Sequence, residues 1–114
     1  MRLLRIANLI RSEVSDVLLK KMNDARIGFI SITRVELTPD LKYAKIYYSQ
    51  FGSDSDKKKT LKALNRARGF IKYEVGKVVN FKTMPDFEFK FDESVEKAFD
   101  VINRIDAIEN NEQQ

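Results

Sequence analysis

Lys58, Lys62 and Arg66 recur every four residues. On an α-helix that interval stacks side chains on one face. A row of cations on one face neutralises phosphates, and each neutralised phosphate adds affinity that falls with salt. The row belongs to a longer cationic stretch, Lys57 to Lys82, which holds nine basic residues and one acid, Glu74. Arg68, Lys72 and Lys77 complete the candidate phosphate-binding set. Arg11, Lys20 and Lys21 extend it if the first helix packs beside this one. The competing reading is a solvated basic helix with ordinary surface lysines.

The carboxylates offer other chemistry. Asp54 with Asp56, and Asp92 with Glu93, precede helical patterns, where capping accounts for them. Asp86 and Glu88 flank a strand. None makes a ligand spacing with the others, and the chain has no histidine and no cysteine to complete a metal or nucleophile set. The expectation is no catalytic residue, no metal and no cofactor.

The elements that must position the cations follow from the apolar pattern. Leu61, Leu64, Ile71, Val75 and Val78 fall at spacings of three and four, as an amphipathic helix requires. Arg68 breaks the pattern, pointing between Leu61 and Leu64, and Gly69 follows it. Glycine in a helix interior costs about 1 kcal/mol relative to alanine. A bend at Ala67-Arg68-Gly69 answers both misfits. A second helix then starts near Phe70, its bare amides add an anion contact, Arg68 turns to water, and Ala67, Arg68 and Gly69 join the RNA-binding set.

Ahead of this helix, residues 3–22 read as a helix carrying Ile6, Leu9, Ile10, Val14, Val17 and Leu18. Asn23-Asp24 and Gly28 mark its exit. Phe29–Leu37 reads as a strand in which Ile30 and Ile32 oppose Val35 and Leu37 in parity. A bulge near Thr33-Arg34 restores one buried face. Thr38-Pro39-Asp40 turns the chain into Tyr43–Gln50, which alternates cleanly to complete an antiparallel hairpin. Tyr43 and Tyr47 share a face with Lys45 and are candidates for base stacking. Gly52–Asp56 forms a loop that caps the cationic helix. Met84-Pro85-Asp86 leads to the strand Phe87–Phe91, whose three phenylalanines belong to the core. Val95, Phe99, Ile102 and Ile105 mark a last, acidic helix over 92–109, and 110–114 is a tail.

The chain of 114 residues is 43% hydrophobic, enough for one domain with a modest core. Its net charge of +4 is unevenly shared: residues 1–91 hold 19 basic and 10 acidic residues (+9), residues 92–114 hold 2 and 7 (−5). A basic body with an acidic end suits a binder of polyanions. No apolar run approaches the ~20 residues of a membrane helix. The start, MRLLRIANLIRSEV, is interrupted by Arg5, Asn8 and Arg11 and reads as part of the domain, not as a signal peptide.

The order is helix, strand, strand, kinked helix, strand, helix: an α+β domain with helices on one face of a three-stranded mixed sheet. With a helix pair before the third strand, it resembles a type II K-homology domain. That class clamps single-stranded nucleic acid with a GXXG loop between the paired helices. No GXXG occurs here; Ala67-Arg68-Gly69 stands in its place. The chain closely resembles the ribosome-binding factor A family, whose hallmark is an Ala-x-Gly kink. Matching stretches are Arg5-Ile6-Ala7, Asp24-Ala25-Arg26-Ile27-Gly28, Ile32-Thr33-Arg34-Val35-Glu36-Leu37, Asp40 to Tyr47, Leu64 to Ile71, and Met84-Pro85-Asp86-Phe87-Glu88-Phe89. Together they span roughly residues 2–105. Ala25 departs from the proline typical of the family.

The resemblance implies a non-catalytic, cytoplasmic assembly factor, acting as a monomer without cofactor, membrane or small-molecule substrate. Its partners would be the immature small (30S) ribosomal subunit and 16S rRNA, whose late maturation it would assist, including the 5′-terminal helix region. Growth in the cold would depend on it. Two other readings remain open at this point: a protein–protein adaptor whose basic face meets an acidic partner, and a small metal-dependent nuclease.

Overall fold

The computed structural model describes residues 2–22, 30–79, 83–95, 97, 98 and 102. Five elements follow one another: α1 (Arg2–Lys20), β1 (Ser31–Leu37), β2 (Tyr43–Ser49), α2 (Asp54–Gly76) and β3 (Asp86–Phe91). The exit of the first helix at 23–29 and the tail at 110–114 lie outside the described residues. Of the final helix, Ser94, Val95, Lys97, Ala98 and Ile102 are helical, and the rest also lies outside.

α1 buries Ala7, Ile10, Val14 and Val17, spaced by three and four, and ends on Lys20, a cation at the negative end of the helix dipole. β1 and β2 pair antiparallel. Their register shifts between Ile32 and Arg34: Ile32 faces Tyr48, Arg34 faces Tyr47, and Thr33 stands without a partner. That is the expected bulge. It lets Ile32 and Val35, of opposite parity, both reach the core, with Leu37 packed against it. The unpaired Thr33 gains another use. Its hydroxyl donates to Asp92 Oδ2 at 2.6 Å, joining the bulge to the residue that follows β3. Asp92 Oδ1 accepts from the Ser94 amide and hydroxyl, the local cap expected there. These bonds, Ser94 first and then Thr33, hold the buried Asp92 carboxyl below its ordinary range against the effect of burial.

The hairpin turn is tied by Asp40. Its Oδ1 accepts from the Thr38 hydroxyl at 2.7 Å and from the Lys42 amide at 3.1 Å. Leu41, inside the turn, has φ 61°, in the left-handed region that a branched side chain enters at a cost.

β3 runs parallel to β2, with Ala44 beside Phe87 and Ile46 beside Phe89. Parallel neighbours need a crossover, and α2 provides it. The sheet order is β1-β2-β3. One core gathers residues of all five elements, among them Ile10, Val14, Ile46, Tyr48, Leu64, Ile71, Val75 and Phe87. Phe87 and Phe89 are buried, and Phe91 meets Tyr48 edge-to-face at 5.8 Å.

Two expectations about the cationic helix need correction. The break at Ala67-Arg68-Gly69 is absent: α2 is one continuous helix of 23 residues, with no second helix starting at Phe70. The buried stripe explains why. It is built from Thr60, Ala63, Leu64, Ile71, Glu74 and Val75, with Leu61 only partly covered. Counting the small and polar members moves the stripe's centre away from Leu61. Arg68 then sits at its margin, exposed, without any bend. Val78 is the second correction. It is 57% exposed, and Val79 is buried in its place. Past Gly76 the chain tightens, with the Val78 amide bonding to the Val75 carbonyl three residues back, and this changes which side chain turns inward.

Candidate nucleic-acid interface

α2 begins with a well-made cap. Ser53 Oγ accepts from the Asp56 amide at 3.1 Å while Asp56 Oδ2 accepts from the Ser53 amide at 3.3 Å. Asp54 and Asp56 place negative charge at the positive end of the helix. The expected capping role of these acids is therefore met. The cap fixes where the helix starts, and so which residues share each face.

Lys58, Lys62 and Arg66 form an exposed row on the face away from the core. Among the described residues, no carboxylate pairs with any of the three. The strip continues through Gly69, exposed, and on to Lys77. Arg68 and Lys72 stand on a second strip, turned toward β3. Lys72 Nζ reaches Asp86 Oδ1 at 2.8 Å. The hydrogen bond and charge of Lys72 hold Asp86 below the usual carboxylate range, with the field of Arg68 adding to them against burial. A hollow of about 480 Å³ opens there, lined by Tyr43, Arg68, Gly69, Lys72, Asp86, Phe87 and Glu88. Ala67 stands apart from both strips; it is half-buried against the core. The helix is continuous here, so Ala67–Gly69 present no bare amides, and the expected anion contact at a helix start is absent.

Of the cations that could extend the patch from α1, Lys21 does pack against α2. Its Nζ lies 2.7 Å from Oε2 of Glu74, the lone acid of the cationic stretch. Lys77 Nζ approaches Oε1 of the same carboxylate at 3.3 Å. The Lys21 hydrogen bond holds Glu74 below its ordinary pKa of 4.5, with Lys77 assisting and burial opposing. One carboxylate and two ammonium groups leave this trio with a net +1. Lys20 is exposed, and Arg11 donates to the Thr33 carbonyl at 3.5 Å, toward β1.

The open face of the sheet is laced by its own side chains. The Arg34 guanidinium covers the Tyr47 ring at 4.1 Å, and the Tyr47 hydroxyl donates to Glu36 Oε2 at 3.3 Å. Tyr47 is therefore occupied, whereas Tyr43 is half-exposed. The aromatic rings that sequence reasoning missed are on α2: Phe70 is 43% exposed and Tyr73 65%. Their distance from the apolar stripe was the available signal. Among the described residues, no group of three histidine, cysteine or acidic side chains could hold a metal ion, and no helix is long and apolar enough to cross a membrane.

A family model described as ribosome-binding factor A matches residues 2–105. A curated ribosome-binding factor A from Geotalea daltonii is 46% identical over 104 residues, covering 91% of this chain and 81% of the relative. The crystal structure of ribosome-binding factor A from Thermus thermophilus has a similar fold, with TM-score 0.69 at 18% identity over 76% of this chain and 91% of that one. A homology model of the Thermus thermophilus factor, fitted into the cryo-EM map of a 30S complex of that factor, gives TM-score 0.58 at 19% identity, over 79% and 90% of the two chains.

Proposed function

The chain belongs to the ribosome-binding factor A family, and from that premise we propose that it is a non-catalytic assembly factor of the immature small ribosomal subunit. It acts in the cytoplasm, as a monomer, by docking on 16S rRNA and favouring one late conformation of it. No bond is made or broken. The step assisted includes processing at the 5′-terminal helix region, and growth at low temperature depends on it.

The observation that carries this reading is the exposed row Lys58, Lys62 and Arg66, free of paired carboxylates among the described residues, on a helix capped at Ser53. A fixed row of unpaired cations suits a phosphate backbone. The Thermus thermophilus relative fitted as a 30S complex supports the choice of partner.

The test is co-sedimentation with immature small subunits on sucrose gradients across a salt series. The parent is expected to co-sediment, with affinity falling as salt rises. Lys62→Glu with Arg66→Glu is expected to abolish co-sedimentation while circular dichroism stays that of the parent. Undiminished co-sedimentation of the folded double variant would refute the proposed contact. Cells lacking the protein are expected to accumulate free small subunits with unprocessed 5′ rRNA ends. Normal ends in those cells would remove the maturation role.

A further inference from the structure

We propose that Tyr73 holds an unpaired RNA base against α2, in the hollow floored by Gly69 and Gly76. The proposal rests on the RNA-binding reading above and names what that surface takes: a single-stranded segment, one base of which leaves its neighbours to stack on this ring.

The hollow measures about 460 Å³ and is lined by Gly69, Lys72, Tyr73, Gly76, Lys77 and Met84. That size is within the ~300–1,000 Å³ of small-molecule sites. Tyr73 is 65% exposed, and Lys77 Nζ sits 4.8 Å from its ring centroid. An ammonium covers one face of a ring, and the exposure leaves the rest of Tyr73 open to a planar partner.

Gly69 lies four residues before Tyr73 and Gly76 three after it, so all three share one side of the helix. A base sliding onto the ring therefore passes over backbone at both glycines. The domain's own packing requires neither one. A Cβ on Gly69 would meet nothing within 4 Å, and one on Gly76 would touch only the Met84 side chain at 3.5 Å, an ordinary contact. Neither residue has positive φ.

Charge chooses among the surface hollows. The two toward β3 set carboxylates against their cations, Asp86 and Glu88 against Arg68 and Lys72 in one, Asp40 and Asp86 against Lys42 and Lys72 in the other. The hollow at Tyr73 has Lys72 and Lys77 and no carboxylate in its lining; their partners, Asp86 and Glu74, stand outside it, and Glu74 is shared with Lys21. It also continues the strip of Lys58, Lys62 and Arg66. A backbone that follows those cations arrives at Tyr73 with a base to place. A paired base is closed within its duplex and cannot lie on the ring, so the occupant is unpaired RNA.

The test uses the full chain and fluorescence anisotropy with a labelled single-stranded RNA oligonucleotide and the matching duplex. Tyr73→Ala is expected to weaken single-strand binding about five- to 150-fold, the loss of one base–aromatic stack. Its salt dependence and its duplex binding should match the parent, because no charge is removed. Tyr73→Phe should keep the parent's single-strand affinity. Lys62→Glu should weaken both probes and flatten the salt dependence. If Tyr73→Ala binds the single strand as the parent does while Lys62→Glu binds it less well, the stacking site is refuted and the RNA-binding reading stands. If the parent binds neither RNA nor small subunits, both fail.

Discussion

Lys21 Nζ and Glu74 Oε2 meet at 2.7 Å, brought together from positions 53 residues apart. The pair fastens the end of α1 to the last turns of α2, and Glu74 is the only carboxylate in the cationic stretch. The acid therefore has a structural use: it lets a lysine from another element dock on a helix that would otherwise repel it.

This contact sets a pH dependence. Glu74 has a lowered pKa in the folded protein, so its contribution to stability is complete above the ordinary value of 4.5 and is lost as pH falls through the folded value. Urea unfolding should show Glu74→Gln less stable than the parent at pH 7, and the difference should shrink as pH drops below 4.5. A difference that stays constant down to strong acid would mean that the ion pair contributes nothing.

Gly69→Ala should stabilise the isolated domain by about 0.5–1 kcal/mol, because alanine is the better helix former and its methyl group meets no atom within 4 Å. Thermal melts check the sign. The same substitution should weaken single-stranded RNA binding if the floor beneath Tyr73 is needed. A drop in melting temperature would mean that the helix is strained at this point.

Leu41→Asn should raise stability by up to about 1 kcal/mol. Leu41 has φ 61°, and asparagine enters the left-handed region more readily than a branched apolar side chain. Denaturant midpoints at constant m-value provide the measurement. A loss of stability would show that the half-buried leucine side chain outweighs the backbone strain.

Thr33→Val should cost about 1–3 kcal/mol, since Asp92 is 6% exposed and would keep a buried oxygen without its donor. The shape of the bulge is retained, so the β1–β2 register should survive. Hydrogen exchange should locate the loosening where β3 ends. Parent-like stability would show that water replaces the hydroxyl at no cost.

The hairpin was legible because its residues disagree: Ile32 and Val35 cannot both be buried on an unbulged strand, and only a register shift near Thr33 reconciles them. The cationic face was equally legible, since Lys58, Lys62 and Arg66 keep helical spacing whatever the helix packs against. The continuity of α2 was not. Its buried stripe includes Thr60, Ala63 and Glu74, small or polar residues that do not stand out as core, and Glu74 is held there by Lys21 from beyond α1. Reading only the large apolar residues displaced the stripe onto Arg68 and called for a bend. Phe70 and Tyr73 escaped notice for the converse reason. Aromatic side chains suggest core, and that expectation hid the signal of their position off the apolar stripe, where both face water.

The unbroken course of α2 has a consequence for any partner. With a rise of about 1.5 Å per residue, Lys58 and Arg66 are held roughly 12 Å apart along the axis, as on a ruler. No hinge lets this spacing adjust, and the helix backbone has little order left to gain when the surface is covered. In the RNA-binding role proposed above, adaptation then falls to the nucleic acid: strands already curved to match these intervals fit, and others must reshape themselves or leave.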